Sequence, residues 1–273
     1  CSVVNIILDL LLILVIPLGV LGAAIATLIA QAVSAVLVTV TLMYRTEGMK
    51  LCLSQIRMYK RMLQSILKIG LPAGFEAIMY SISNIIVQVS INNFGVDTMA
   101  AWTAYSKIDF IFWMINSAFG ISVMTFVGQN YGAGKWDRIR RGTKICLGMA
   151  LISAVSVSII LMSAERFLFG IFVNDAGVVE IGIRMMNVIA PAYLLFAFIE
   201  VFSGALRAQG AVVVSTLITM VGICVLRMIW VTLVAAHGTL EQVIICYPIT
   251  WAAGALAMSI YYIYKQRKIF QAR

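Results

Sequence analysis

Three groups of residues have the types and spacing to do chemistry inside an apolar chain. Along residues 68–92, Glu76, Tyr80, Asn84 and Gln88 recur every fourth position, with Ser83 and Ser90 near them. At about 100° per residue these fall on one broad arc of a helix, and Phe75, Ile78, Ile82, Ile85 and Val89 fill the opposite side. Val87 and Ile91 intrude on the polar arc. A polar face this long calls for a water-filled cavity or a ligand; hydrogen bonding to a neighbouring helix is the competing explanation. Glu76 is the arc's one carboxylate. It can exchange a proton, coordinate sodium with nearby hydroxyl or amide oxygens, or serve as a structural salt-bridge partner. In the second group, Asp109 shares a helix face with Trp102, Tyr105, Ser106 and Trp113. An acid among ring faces suits a lipophilic cation. Ordinary aromatic packing, with Asp109 paired to Arg227, is the alternative. Lys107, two positions away, faces elsewhere and needs another partner. In the third group, Glu200 lines up with Tyr193, Ser203 and Arg207. Either Glu200 takes part in transport, or Arg207 neutralises it. Asp9 lies on the first apolar run, and an ionisable residue at such a depth is a functional candidate by default.

The elements that carry these groups are membrane helices. The 273 residues are 62% hydrophobic and only 11% charged, where a soluble domain carries about 25% charged residues. Apolar runs at about 1–16, 19–43, 68–92, 97–127, 142–163, 182–206, 211–235 and 242–264 mostly meet the roughly 20-residue length of a bilayer crossing. The fold class is therefore all-α: a polytopic membrane protein with eight transmembrane helices, the first one shortened. Open strands would leave backbone groups unpaired in lipid. Residues 44–67 contain LSQIRMYKRMLQSILK, whose apolar and basic residues alternate at helical spacing. They read as a surface helix at the interface. This divides the chain into 1–43 (two helices), 44–67 (linker), 68–264 (six helices) and 265–273 (tail). Pro191 and Pro248 fall in apolar helices, as hinges or static bends.

Alternate loops test the count. Sixteen of the twenty Lys and Arg residues lie in the segments 44–68, 128–144, 207–211 and 265–273. The positive-inside rule places that side, and the C-terminus, in the cytoplasm. The net charge of +9 is thus a topology signal and implies no nucleic-acid partner. The chain begins at Cys1 within an apolar run and reads as part of a longer polypeptide. Its five cysteines show no CxxC spacing, which argues against zinc and disulfide frameworks. HExxH, GxSxG and Walker A motifs are absent, and the single histidine, His237, sits in a short loop. No enzyme, cofactor or metal is expected beyond a coupling ion.

Several segments go further. GLPAGFEAIMYSISNIIVQVSINNFG, AAWTAYSKI and VGQNYGAGKWDRIRRG resemble the second half of multidrug and toxic compound extrusion (MATE) transporters. NIILDLLLI and LGVLGAAIATLIAQ are similar to the family's fifth and sixth helices, and SGALRAQG to its loop between the tenth and eleventh. The signature segment comprises Gly128, Gln129, Asn130, Gly132 and Gly134, followed by Arg140 and Arg141. The resemblance implies twelve helices in two lobes around a cleft. This chain would supply helices five to twelve: two helices of the N-terminal lobe and a complete six-helix C-terminal lobe. It implies cation sites on the seventh and tenth helices, where Glu76 and Glu200 lie; Tyr80 stands where some members carry the seventh-helix acid. Ala208 and Ala211 depart from the usual glycine and small polar residue.

The implied function is secondary-active efflux of organic cations or amphiphilic drugs in exchange for Na+ or H+. The transporter would be a monomer in a bacterial plasma membrane, its partners a small organic substrate and the bilayer. A flippase for lipid-linked saccharides, from the same superfamily, is the first alternative and a non-transporting scaffold the second. Without the first four helices this chain is not expected to complete a transport cycle.

Overall fold

The computed structural model describes residues 2–44, 51, 52, 54, 56–234 and 238–271. Cys1, Arg45, Lys50, His237 and Arg273 lie outside the described residues. Those described form helices and no strand. In order they are α1 (Ser2–Val15), α2 (Gly19–Tyr44), α3 (Lys60–Asn92), α4 (Val96–Gly132), α5 (Trp136–Ser163), α6 (Glu165–Phe172), α7 (Ala176–Ala208), α8 (Val212–Val234) and α9 (Leu240–Ile269). Seven are long and apolar enough to cross a membrane, and α1 is a shorter apolar helix. Each of the eight apolar runs therefore coincides with one helix. The helices are longer than the runs. The 37 residues of α4 extend about 55 Å, against a hydrocarbon core of about 30 Å.

The separate surface helix expected over 44–67 is not what the described residues show. Residues 56–59 are not helical, and Lys60 opens α3 itself. The reason is physical: Lys60, Arg61 and Lys68 have long stems whose charged ends can reach the interface, so one helix continues out of the apolar zone. The short amphipathic α6 was not anticipated. It fills the connection before α7, whose first turn is capped by Asp175 accepting from Gly177 N and Val178 N.

The chain divides into two compact units, residues 1–63 and 64–273. In the first, α1 packs on α2. Gly22 permits the approach, since a Cβ there would lie 2.8 Å from the Leu12 carbonyl oxygen. Asp9 keeps one buried carboxyl oxygen without a hydrogen-bond partner among the described residues.

In the second unit α7 is the central helix, packed against α4, α5, α8 and α9. A Cβ at Gly204 would lie 2.8 Å from Gly120 O, so glycine on both faces sets the α4–α7 crossing. Pro191 lies in a 3-10 turn, Ala190–Ala192, within α7. α8 is interrupted by π-helical stretches at Met220–Val225 and Trp230–Val234, with Arg227 on the α-helical turn between them. α3 is not among the closely packed pairs and meets the unit mainly through side chains. The basic segments converge at one end. Lys265 Nζ donates to Gln209 O and Gln266 Nε2 to Gln209 Oε1, both at 3.0 Å. Arg140, Lys144 and Arg267 line one groove there.

Candidate functional site

α3 forms one wall of two neighbouring cavities in the second unit. Its outward residues follow the sequence pattern: Phe75, Ile78, Ile85 and Val89 are each more than half exposed. Ser83, Val87 and Ile91 are buried, so the two apolar intrusions in the polar arc are the contacts that dock the helix. Between these faces, Glu76 and Tyr80 line the first cavity, and Tyr80, Asn84 and Gln88 line the second.

The first cavity, about 320 Å³, also receives Gly120 from α4 and Glu200, Ser203 and Arg207 from α7. Arg207 Nη2 donates to both Glu76 carboxylate oxygens at 2.6 and 2.7 Å, and Thr216 Oγ1 donates to Oε2 at 2.9 Å. Arg207 Nε reaches Ser215 Oγ at 3.4 Å, and Ser215 shares a 2.9 Å hydrogen bond with Ser203. Glu76 is thus salt-bridged to Arg207. The pairing of Arg207 with Glu200, open from the sequence, does not occur. α7 presents both on one face, but the α3 carboxylate takes the guanidinium. Glu200 makes no ion pair or hydrogen bond among the described residues. It lies so close to α4 that a Cβ at Gly120 would run into its carboxyl group. With Ser203 and Thr219 also lining the space, the oxygens present suit a hard cation or a proton.

The second cavity, about 500 Å³, is lined by Trp102, Tyr105, Asp109, Trp113, Tyr247 and Trp251 together with the α3 residues. Trp113 Nε1 donates to Asp109 Oδ2 at 2.6 Å and Tyr193 OH to Oδ1 at 2.5 Å. Tyr193 is held in turn by Tyr105 OH at 3.2 Å and by stacking on Phe112 at 3.9 Å. Both donors to Asp109 are neutral. The ion pair of Asp109 with Arg227, the other alternative, is not formed. Arg227 is fully buried, 4.2 Å from the Tyr247 ring centroid, and its Nη1 donates to Asn84 Oδ1 at 3.2 Å. Its Nε and Nη2 have no partner among the described residues. Asp109 is therefore oriented by hydrogen bonds without being neutralised by a cation among those residues.

Other candidates lie elsewhere. Lys107 is exposed and lines a shallow recess with Gln88 and Trp102. The signature segment belongs to the basic end, away from both cavities. Gln129, Asn130 and Gly132 complete α4, and Asn130 Nδ2 donates to Phe126 O at 2.8 Å. Gly134, at φ +67°, makes the turn into α5. A Cβ added at Gly128 would lie 4.0 Å from the Ala208 Cβ. Ala208 itself is helical, and the left-handed residue of that turn is Gly210, at φ +79°, so alanine at 208 introduces no backbone strain.

Thr216, Tyr247 and Trp251 also belong to the site and were not among the residues expected there. The last two are four residues apart on one helix, which was a readable sign of a second aromatic face.

A family model described as MatE matches residues 72–233. The Probable multidrug resistance protein YoeA of Bacillus subtilis (strain 168) is 26% identical over 260 residues, covering 92% of this chain and 56% of that protein. The Multidrug export protein MepA of Staphylococcus saprophyticus is 25% identical over 247 residues, covering 85% and 54%. The chain thus spans about half the length of these curated relatives. Among solved structures, an outward-facing multidrug resistance MATE family transporter of the MOP superfamily superposes with a TM-score of 0.89 at 19% identity, covering 99% of this chain and 61% of that one. A MOP superfamily transporter from Pyrococcus furiosus, described by a reverse polarity of its binding pocket that suggests a different function, gives 0.88 at 19% identity, covering 97% and 60%. Helices, turns and signature segment agree with a family match over more than half of the chain, and the protein belongs to the MatE family.

Proposed function

We propose that the chain works as part of a secondary-active efflux antiporter that exports organic cations or amphiphilic drugs in exchange for Na+ or H+. The observation that carries this is Asp109: a carboxylate fixed by neutral donors, paired to no cation among the described residues, in a chamber walled by Trp102, Tyr105, Trp113 and Trp251. Ring faces and an unpaired negative charge both favour a lipophilic cation. The names of the bacterial relatives, multidrug resistance and multidrug export, point the same way.

The first cavity is the coupling site in this account. Arg207 has two carboxylates within its cavity and pairs with one, Glu76, leaving Glu200 to take the ion. Entry of Na+ or H+ at Glu200 and release from it would then alter the competition for Arg207, and Tyr80, which lines both cavities, lies between coupling site and substrate site. Among the described residues the acids Glu76, Glu200 and Asp109 line the two cavities, against Arg207 in the first and Arg227 behind Asn84 and Tyr247 of the second. This favours cation export over the handling of a lipid-linked pyrophosphate. By the positive-inside rule the basic end and the C-terminus face the cytoplasm of a bacterial plasma membrane, and the working transporter is a monomer.

The test is efflux of tetraphenylphosphonium from vesicles containing the full-length transporter, under imposed sodium or proton gradients in turn. One gradient should drive efflux and Glu200→Gln should abolish the driving. Efflux that responds to neither gradient, or that is unchanged in Glu200→Gln, would contradict the proposal.

A further inference from the structure

The basic end of the second unit carries a groove that neither cavity reaches. α5 and α9 both pack on α7, and between their basic ends lies a cavity of about 310 Å³. Arg140 and Lys144, one turn apart on α5, and Arg267 on α9 bring three cations to it, and no lining residue is acidic. Tyr262 and Gln266 also line it. Tyr262 is stacked on Phe202 of α7 at 4.5 Å and is only 7% exposed. Its hydroxyl lies beside Thr143, which gives its own proton to Ile139 O at 2.8 Å and keeps its oxygen free to accept. Three cations with no acid in the lining suit the groove to an anion, and the Tyr262 hydroxyl lies at its wall. Away from the cations, successive turns of α9 present Ile263, Ile260 and Leu256, which are 49%, 58% and 64% exposed. An apolar track thus continues from the charged groove towards the hydrocarbon.

We propose that this groove binds the headgroup of an anionic phospholipid. Its phosphodiester would sit among Arg140, Lys144, Arg267 and the Tyr262 hydroxyl, with an acyl chain along Ile263, Ile260 and Leu256. A free phosphate would satisfy the cations but leave the apolar track without a partner. Basic pockets between membrane helices on the cytoplasmic side are suited to such headgroups. The occupant would also brace the connections at this end. α5 follows the signature segment directly, and α9 is bonded to Gln209 in the α7–α8 turn through Lys265 and Gln266.

Native mass spectrometry of the purified chain, titrated with phosphatidylglycerol, phosphatidylcholine or inorganic phosphate, tests this. Phosphatidylglycerol should be retained about tenfold better than phosphatidylcholine. Arg140→Gln, Lys144→Gln and Arg267→Gln together should remove that preference. The conservative Tyr262→Phe should weaken it about threefold through the lost hydrogen bond. Lys135→Gln, Arg138→Gln and Lys268→Gln together remove equal charge outside the groove and should leave the preference in place. Equal retention of the two lipids would overturn the proposal, as would equal loss in the two triple variants or an unchanged Tyr262→Phe. Displacement of the lipid by equimolar inorganic phosphate would show a phosphate site and overturn the lipid assignment.

Discussion

Glu76, Glu200 and Asp109 are three carboxylates of one lobe with three different attachments. Glu76 is tied to Arg207 and Thr216, Asp109 is oriented by neutral donors, and Glu200 has no bonded partner among the described residues. Because Glu200 and Arg207 stand two turns apart on α7, Glu76→Gln should free the guanidinium to turn towards Glu200. A double-mutant cycle of Glu76→Gln and Glu200→Gln, read by thermal unfolding, should therefore show a coupling of about 0.5–3 kcal/mol. Additive effects would show that Arg207 does not answer to both acids. Arg227 is the opposite case, a buried guanidinium whose described partners are Asn84 and ring faces. Desolvating a lone ion costs several kcal/mol, so Arg227→Met should leave thermal stability equal or higher. A clear loss of stability would mean that Arg227 has an anionic partner. Residue types and faces were legible in the sequence. Partnerships were not, because Arg207 and Glu76 are 131 positions apart, and periodicity on one helix says nothing about which distant helix faces it.

On the scale of elements, the polar arc of α3 could be read directly, since hydropathy with a period near 3.6 residues is what a half-lipid-exposed helix must show. Its extension to Lys60 was not legible, because basic residues suit both a surface helix and the projecting end of a span. The π-helical stretches of α8 also escaped, as their composition is that of any apolar helix. Two glycines make this scale testable. Gly120 admits the Glu200 carboxyl group against α4, so Gly120→Ala should displace that carboxyl and cost about 1–3 kcal/mol by overpacking, measured as a lower unfolding midpoint together with weakened ion-driven efflux. Gly210, at φ +79° in the turn between α7 and α8, should cost about 1–2 kcal/mol on replacement by alanine. Ala208→Gly in the same turn should bring no gain from relieved strain.

At the level of the whole molecule, three of the basic segments named from the sequence can be located in the second unit. The hydrogen bonds from Lys265 and Gln266 to Gln209, and the groove shared by Arg140, Lys144 and Arg267, bring three basic segments to one end of the second unit. The two cavities were only half legible. α3 and α4 announced their polar and aromatic faces, but the closing walls come from α7 and α9: Tyr193 could be placed on a face with Glu200 yet not matched to Asp109 of α4, and Trp251 was passed over. The central claim is that the chamber around Asp109 selects for positive charge on a bulky apolar ligand. The most direct measurement is quenching of tryptophan fluorescence in the detergent-purified chain by tetraphenylphosphonium and by its near-isosteric anion, tetraphenylborate. The cation should quench saturably, the anion at least about tenfold more weakly, and Asp109→Asn should remove about 1.4 kcal/mol or more of that discrimination. Equal binding of the two ions, or an Asp109→Asn variant that still separates them as the parent does, would contradict the account.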